Sequence, residues 1–152
     1  MNKFMETAIQ EAKKGILNGD GGPFGAVIVK DGKVIGKGHN KVLSKNDATC
    51  HGEMEAIRSA SKKLKNFDLK GCELYTTAEP CPMCLSACLW ANIEKIYYGC
   101  SVLDTEKIGF RDNKFYNLHN KNKKLNKLIK IDKKECESLF EEYKNLENKK
   151  NY

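Results

Sequence analysis

The chain has 152 residues, enough for one domain with a sizeable core and too few for two ordinary ones. Hydrophobic residues make up 40% and charged residues 31%, which argues against a disordered chain. No apolar run approaches the roughly 20 residues of a membrane helix. The formal charge of +7 admits a nucleic-acid partner without arguing for one, because lysine is abundant throughout and its excess gathers toward the C-terminus.

Residues 3–17 carry Phe4, Met5, Ala8, Ile9, Ala12 and Ile16 at helical spacing, with Gly15 or Gly19 placed to end the helix in a positive-φ cap. The opening MNKFMETAIQEAKKG lacks the apolar core of a signal peptide, so a cytoplasmic setting is expected. PFGAVIVKDGKVIGKG (23–38) predicts a hairpin that turns at Asp31-Gly32. Its nearly continuous apolar run, Ala26 to Val29, predicts a strand covered on both faces. A loop is expected over 40–50. Met54, Ile57, Ala60 and Leu64 then form an apolar stripe, so a second helix is expected to begin near His51.

CELYTT (72–77) reads as a third strand, Pro82–Ala91 as a third helix and KIYYGC (95–100) as a fourth strand. SVLDTEKIGFRDNKFYN (101–117) shows no period and is read as irregular. KLIKI (127–131) reads as a last strand. Cys136, Leu139, Phe140, Tyr143 and Leu146 make an amphipathic helix over 133–147. Alternating helices and strands without repeats or a flexible linker imply a single layered α/β domain over 1–152.

Cysteine carries the chemical signal. Seven thiols in a chain without an export signal argue for a metal or catalytic role rather than a disulfide framework. Cys81 and Cys84, in AEPCPMCLSACLWAN (78–92), stand at C-x-x-C spacing. A structural zinc site needs four protein ligands, and neither a second C-x-x-C nor an H-x-H pair is present. A redox pair leaves the upstream His-Glu without a role.

TCHGE (49–53) offers a third reading. His51 stands at the expected start of one helix and Cys81 and Cys84 at the start of another. In layered α/β folds such helix starts gather at one edge of the sheet. Three ligands leave a fourth zinc position for water, whose pKa zinc lowers to about 7. Glu53, two residues past His51, is a carboxylate placed to shuttle protons. Helix N-termini favour the thiolate form of both cysteines. Cys88 reads as a core residue, His39 and His119 as ordinary histidines, and Cys50 as having no role.

H-x-E followed by P-C-x-x-C is the signature of zinc nucleobase deaminases, and the chain resembles the cytidine deaminase superfamily over nearly its full length. That resemblance implies a three-layer α/β/α fold around a central mixed five-stranded sheet. It also implies hydrolytic deamination, with Glu53 moving protons and ammonia leaving. GGPFGAVIVKDG (21–32), GFRDNKFYNL (109–118) and the tail NKKNY resemble the guanine deaminase branch in particular.

The resemblance assigns Asn40 to hydrogen bonding with the base, Asp112 to the guanine N–H edge and Tyr152 to the pocket. Chemistry agrees with that division: guanine presents adjacent N1–H and N2–H donors to a carboxylate, and adenine has no such pair. Phe24 is placed to stack on the purine and Trp90 to close the apolar wall behind it. The family places the C-terminal segment, about 130–152 here, in a neighbouring subunit, which implies a homodimer with swapped tails.

Two positions depart from the pattern. Gly52 stands where relatives carry Ala, a change expected to have little effect, and Arg111 stands where Asp is common, which alters the charge beside Asp112. The rival readings are a tRNA adenosine deaminase, which needs a basic RNA-binding face, and a zinc module without turnover, which has no use for Glu53.

Overall fold

The computed structural model describes residues 1–120, 133–145 and 147. The chain divides into two compact units, Met1–Asn117 and Leu118–Tyr152.

In the first unit, helix α1 (Lys3–Leu17) starts on Asn2, whose Oδ1 accepts from the backbone N–H groups of Phe4 and Met5 at 2.9 and 3.3 Å. Of the two glycines expected to end it, Gly19 takes the positive φ, at 70°. Gly15 remains inside the helix and buried, because a side chain there would collide with the ring of His39.

Strands β1 (Gly25–Lys30) and β2 (Lys33–His39) form the expected hairpin. Asp31 and Gly32 both take positive φ, 49° and 70°, the backbone that matches a two-residue turn to the twist of its strands. The loop over 40–50 contains a single helical turn, α2 (Val42–Lys45), closed by Asn46 in the left-handed region. Helix α3 (Gly52–Leu64), strand β3 (Cys72–Ala78), helix α4 (Pro82–Trp90) and strand β4 (Lys95–Cys100) follow within a residue or two of expectation.

Residues 101–117 correct the sequence reading. They are not irregular but carry helix α5 (Val102–Lys107) and most of helix α6 (Asp112–Asn120). A capping box starts α5: the Ser101 hydroxyl accepts from the Asp104 N–H, and the Asp104 carboxylate accepts from the Ser101 N–H at 3.0 Å. Six residues are too few to show an amphipathic period, so the cap was the available signal.

The sheet is mixed, with order β2-β1-β3-β4; β1 runs antiparallel to both neighbours and β3 parallel to β4. Among the described residues it has four strands rather than the five expected, and the proposed fifth, 127–131, lies outside them.

Helices cover both faces. Ala26, Ile28 and Leu74 pack with Ala56 and Ala60 of α3 and Cys88 of α4. Val27, Val29 and Tyr75 pack with Ala8, Phe4 and Met5 of α1. Burial on both faces is why β1 reads as an unbroken apolar run.

Helix α3 lies close enough to β2 that a Cβ on Gly38 would stand 2.4 Å from the Ala56 nitrogen and 2.5 Å from the Gly52 carbonyl oxygen. Backbone cannot yield as a side chain can. Gly38→Ala is therefore expected to lower unfolding free energy by about 1–3 kcal/mol, read from denaturant midpoints, with wild-type stability as the contrary result.

The second unit contains helix α7 (Lys133–Lys144), which ends three residues before the expected 147. Lys133 and Glu137 pair at 2.7 Å along it, and Leu139 and Phe140 are exposed. Tyr152 lies outside the described residues. No helix among the described residues is long and apolar enough to cross a membrane.

Candidate metal centre and active site

The hairpin and the β3–α4 connection bring the chemical residues to one edge of the sheet. Gly25 pairs with His39 and Ala26 with Thr76, so the start of β1 and the ends of β2 and β3 converge there. Two helices begin at that edge. His51 is the N-cap of α3 and Cys81 the N-cap of α4, both in extended backbone, and neither side chain caps its own helix. Pro82 occupies the first turn of α4, where a missing N–H costs nothing.

The uncapping side chains turn toward each other. His51 Nδ1 stands 3.6 Å from Cys81 Sγ and 3.6 Å from Cys84 Sγ, and the three donor atoms lie within 4.8 Å of one another. Tetrahedral zinc with Zn–S of about 2.3 Å and Zn–N of about 2.0–2.1 Å separates such donors by about 3.6 Å. Both His51–sulfur distances thus match zinc coordination, and a tetrahedral ion held by these three donors would keep one position for a fourth ligand.

Cys81 is held down to about 4, chiefly because the Cys84 thiol donates to it, with His51 adding to the effect. Cys84 is pushed up for the converse reason and by burial. The hydrogen bond to Cys81 raises His51. Metal binding at such a cluster displaces protons, so its strength depends on pH.

Glu53 lies in the first turn of α3 and is 5% exposed. The Thr76 hydroxyl on β3 donates to its Oε1 at 3.3 Å. Burial raises its pKa above the ordinary carboxylate range.

Asn40 and Phe24 meet beside this cluster. The Asn40 N–H donates to the Phe24 carbonyl at 2.8 Å, and the buried Asn40 side chain accepts from the Val42 N–H at 3.1 Å. A Cβ on Gly52 would stand 2.9 Å from the same Phe24 carbonyl oxygen, so glycine lets Phe24 approach the start of α3 closely. Glycine at this position thus bears on packing as well as on helix propensity. Phe24 packs edge-on against Phe110, with ring centroids 4.6 Å apart.

Phe110 leads into α6, where Asp112 is partly buried. Desolvation raises its pKa, the Cys81 charge adds to that, and His51 opposes it. Arg111 turns the other way, its guanidinium 5.3 Å from the ring centroid of Phe115.

Trp90 ends α4, about 12 Å along the helix from Pro82, and is 66% exposed in the single chain.

Two groups were missed by the sequence reading. The Tyr116 hydroxyl donates to the Pro80 carbonyl, just before Cys81. His39 is buried, with Nε2 2.9 Å from Asp20 Oδ2 and Nδ1 3.3 Å from Glu11 Oε2. It ties α1 to the segment before β1 directly beside Asn40. Cys88 packs in the core, as expected, and burial pushes its thiol up to about 12.

The chain belongs to the deaminase family described as "Cytidine and deoxycytidylate deaminase zinc-binding region", whose profile matches residues 1–100. Zinc is that family's metal, and His51, Cys81 and Cys84 are the described group that could hold it. The chain is 41% identical to the guanine deaminase of Bacillus subtilis (strain 168) over 151 residues, 98% of this chain and 97% of that one. The X-ray structure of guanine deaminase from Bacillus subtilis superposes with a TM-score of 0.92 at 41% identity, covering 100% of this chain and 99% of that chain. The tRNA-specific adenosine deaminase of Aquifex aeolicus (strain VF5) is 44% identical over 106 residues, 70% of this chain and 68% of that one.

Proposed function

We propose that the protein is a guanine deaminase, hydrolysing guanine to xanthine and ammonia in purine salvage or catabolism. The observation that carries this reading is the likeness to the Bacillus subtilis guanine deaminase, 41% identical over 98% of this chain. Asp112, a partly buried carboxylate at the start of α6 whose pKa burial raises, supports it.

In this reading His51, Cys81 and Cys84 hold zinc, which when bound supplies a Lewis acid and lowers the pKa of a bound water to about 7. Asp112 accepts from guanine N1–H and N2–H and sets the base in register. The Asn40 amide hydrogen-bonds to the ring and the Phe24 face stacks on it. The Glu53 carboxylate takes the proton of the attacking water and passes it toward the departing N2. Water adds oxygen at C2, the C2–N2 bond breaks, N2 leaves as ammonia carrying that proton, and the second water proton ends on N3 of xanthine as C2 becomes a carbonyl. Tyr152 comes to the pocket from a swapped tail in a homodimer, and a cytoplasmic setting suits the free thiols of Cys50, Cys72 and Cys100.

The likeness to the Aquifex enzyme favours a second reading, deamination of wobble adenosine in tRNA, with which the charge of +7 is compatible. Purified protein incubated with guanine, adenine, cytosine and a tRNA anticodon stem-loop is expected to release ammonia from guanine alone. Ammonia from the RNA with none from guanine reverses the assignment. Asp112→Asn is expected to keep zinc and lower kcat/KM for guanine by about 10- to 100-fold, the worth of a charge-assisted hydrogen bond; unchanged kcat/KM removes Asp112 from recognition.

A further inference from the structure

Asp112 sits at the first residue of a helix that follows a short connection, a place where backbone ordinarily frays. Three contacts secure the surrounding segment. Glu79 holds its beginning: the Val102 N–H donates to Glu79 Oε2 at 3.1 Å, and the Glu79 N–H donates to the Cys100 carbonyl at 2.7 Å. Phe110 holds its middle against Phe24. Tyr116 holds its end, through the phenol donated to the Pro80 carbonyl.

Glu79 and Pro80 are the two residues before Cys81, so the strand-to-helix corner that presents the metal ligands also carries two of these contacts. Asp112 and Tyr116 are four residues apart on α6, so their side chains lie on the same face, about 5–6 Å between Cβ atoms. A hydrogen bond from Tyr116 to the backbone beside Cys81 therefore ties the face of α6 that carries Asp112 to the corner that presents the metal ligands.

We infer that Tyr116 is a positioning residue for base recognition, its hydroxyl latched on the Pro80 carbonyl to hold Asp112 in register with the metal centre. The inference rests on the guanine deaminase reading for the role of Asp112. Tyr116 does not touch the reacting atoms in this account; it sets where the base edge must lie relative to the ligands. Burial, the first cause, pushes its phenol up to about 12, so it remains a donor at neutral pH.

Tyr116→Phe keeps the ring and removes the latch. In the zinc-loaded full chain, KM for guanine is expected to rise about tenfold with kcat changed less than threefold, and with zinc content and thermal midpoint close to wild type. The decisive measurement is a double-mutant cycle with Asp112→Asn: once Asp112 is gone, Tyr116→Phe is expected to cost less than twofold more. Equal losses in both backgrounds overturn the inference and leave Tyr116 as packing, as does loss of zinc in Tyr116→Phe alone. If wild-type protein releases no ammonia from guanine, the guanine reading itself fails, an outcome distinct from additivity in the cycle.

Discussion

Replacing Glu53 with glutamine is expected to leave zinc bound and to slow guanine turnover by about 10²- to 10⁴-fold, the range spanned by a positioned general acid–base. The site makes this substitution informative because the two side chains have the same shape. The Glu53 contact from Thr76 is a hydroxyl donating to Oε1, and a glutamine carbonyl oxygen can still accept that bond. Removing a buried charge relieves desolvation, so the fold is not expected to suffer.

The amide can neither take a proton from water nor pass one to a leaving amine. Metal analysis and ammonia release on the same sample separate the roles. Full zinc with little turnover is the expected result. Full zinc with normal turnover removes Glu53 from the chemistry, and lost zinc makes it part of the metal shell.

Where chemistry and regular structure coincide, the sequence was legible. The run Ala26–Val29 announced a strand covered on both faces, and α1 and α3 do cover it. H-x-E and C-x-x-C each fall at a helix start because an N-cap residue in extended backbone can turn its side chain off the helix. The distance of 3.6 Å from His51 Nδ1 to each sulfur follows from two such starts sharing a sheet edge.

The unread features depend on contacts between residues far apart in sequence. Tyr116 reaches a carbonyl 36 residues away, and His39 joins carboxylates 28 and 19 residues away. A tyrosine within a short helix, or a histidine ending a strand, carries no local pattern that announces such partners. The helix over 102–107 was overlooked because its signal is a cap and not a period, and Ser101 with Asp104 supplied that cap within the irregular reading.

Cys84→Ala is expected to abolish zinc retention and lower ammonia release from guanine by at least about 10³-fold, since Lewis-acid stabilisation is worth several kcal/mol and each 1.36 kcal/mol is tenfold in rate. Cys84 is fully buried in the first turn of α4, where alanine is the better helix former, so the substitution spares the helix and removes a ligand. Cys81 and His51 then remain as two donors, one short of the three that a catalytic zinc ordinarily takes from protein.

Cys88→Ala provides the control on the same helix, one turn further on. Its thiol lies in the apolar cluster with Ile28, Leu74 and Ile93, so its loss disturbs packing but not coordination. That variant is expected to retain zinc and turnover and to lose only stability, read from the thermal midpoint. Because the two thiols share burial, helix and residue type, opposite zinc contents would locate the ligand by geometry alone. Zinc retained in Cys84→Ala, or lost in Cys88→Ala, would falsify the ligand set.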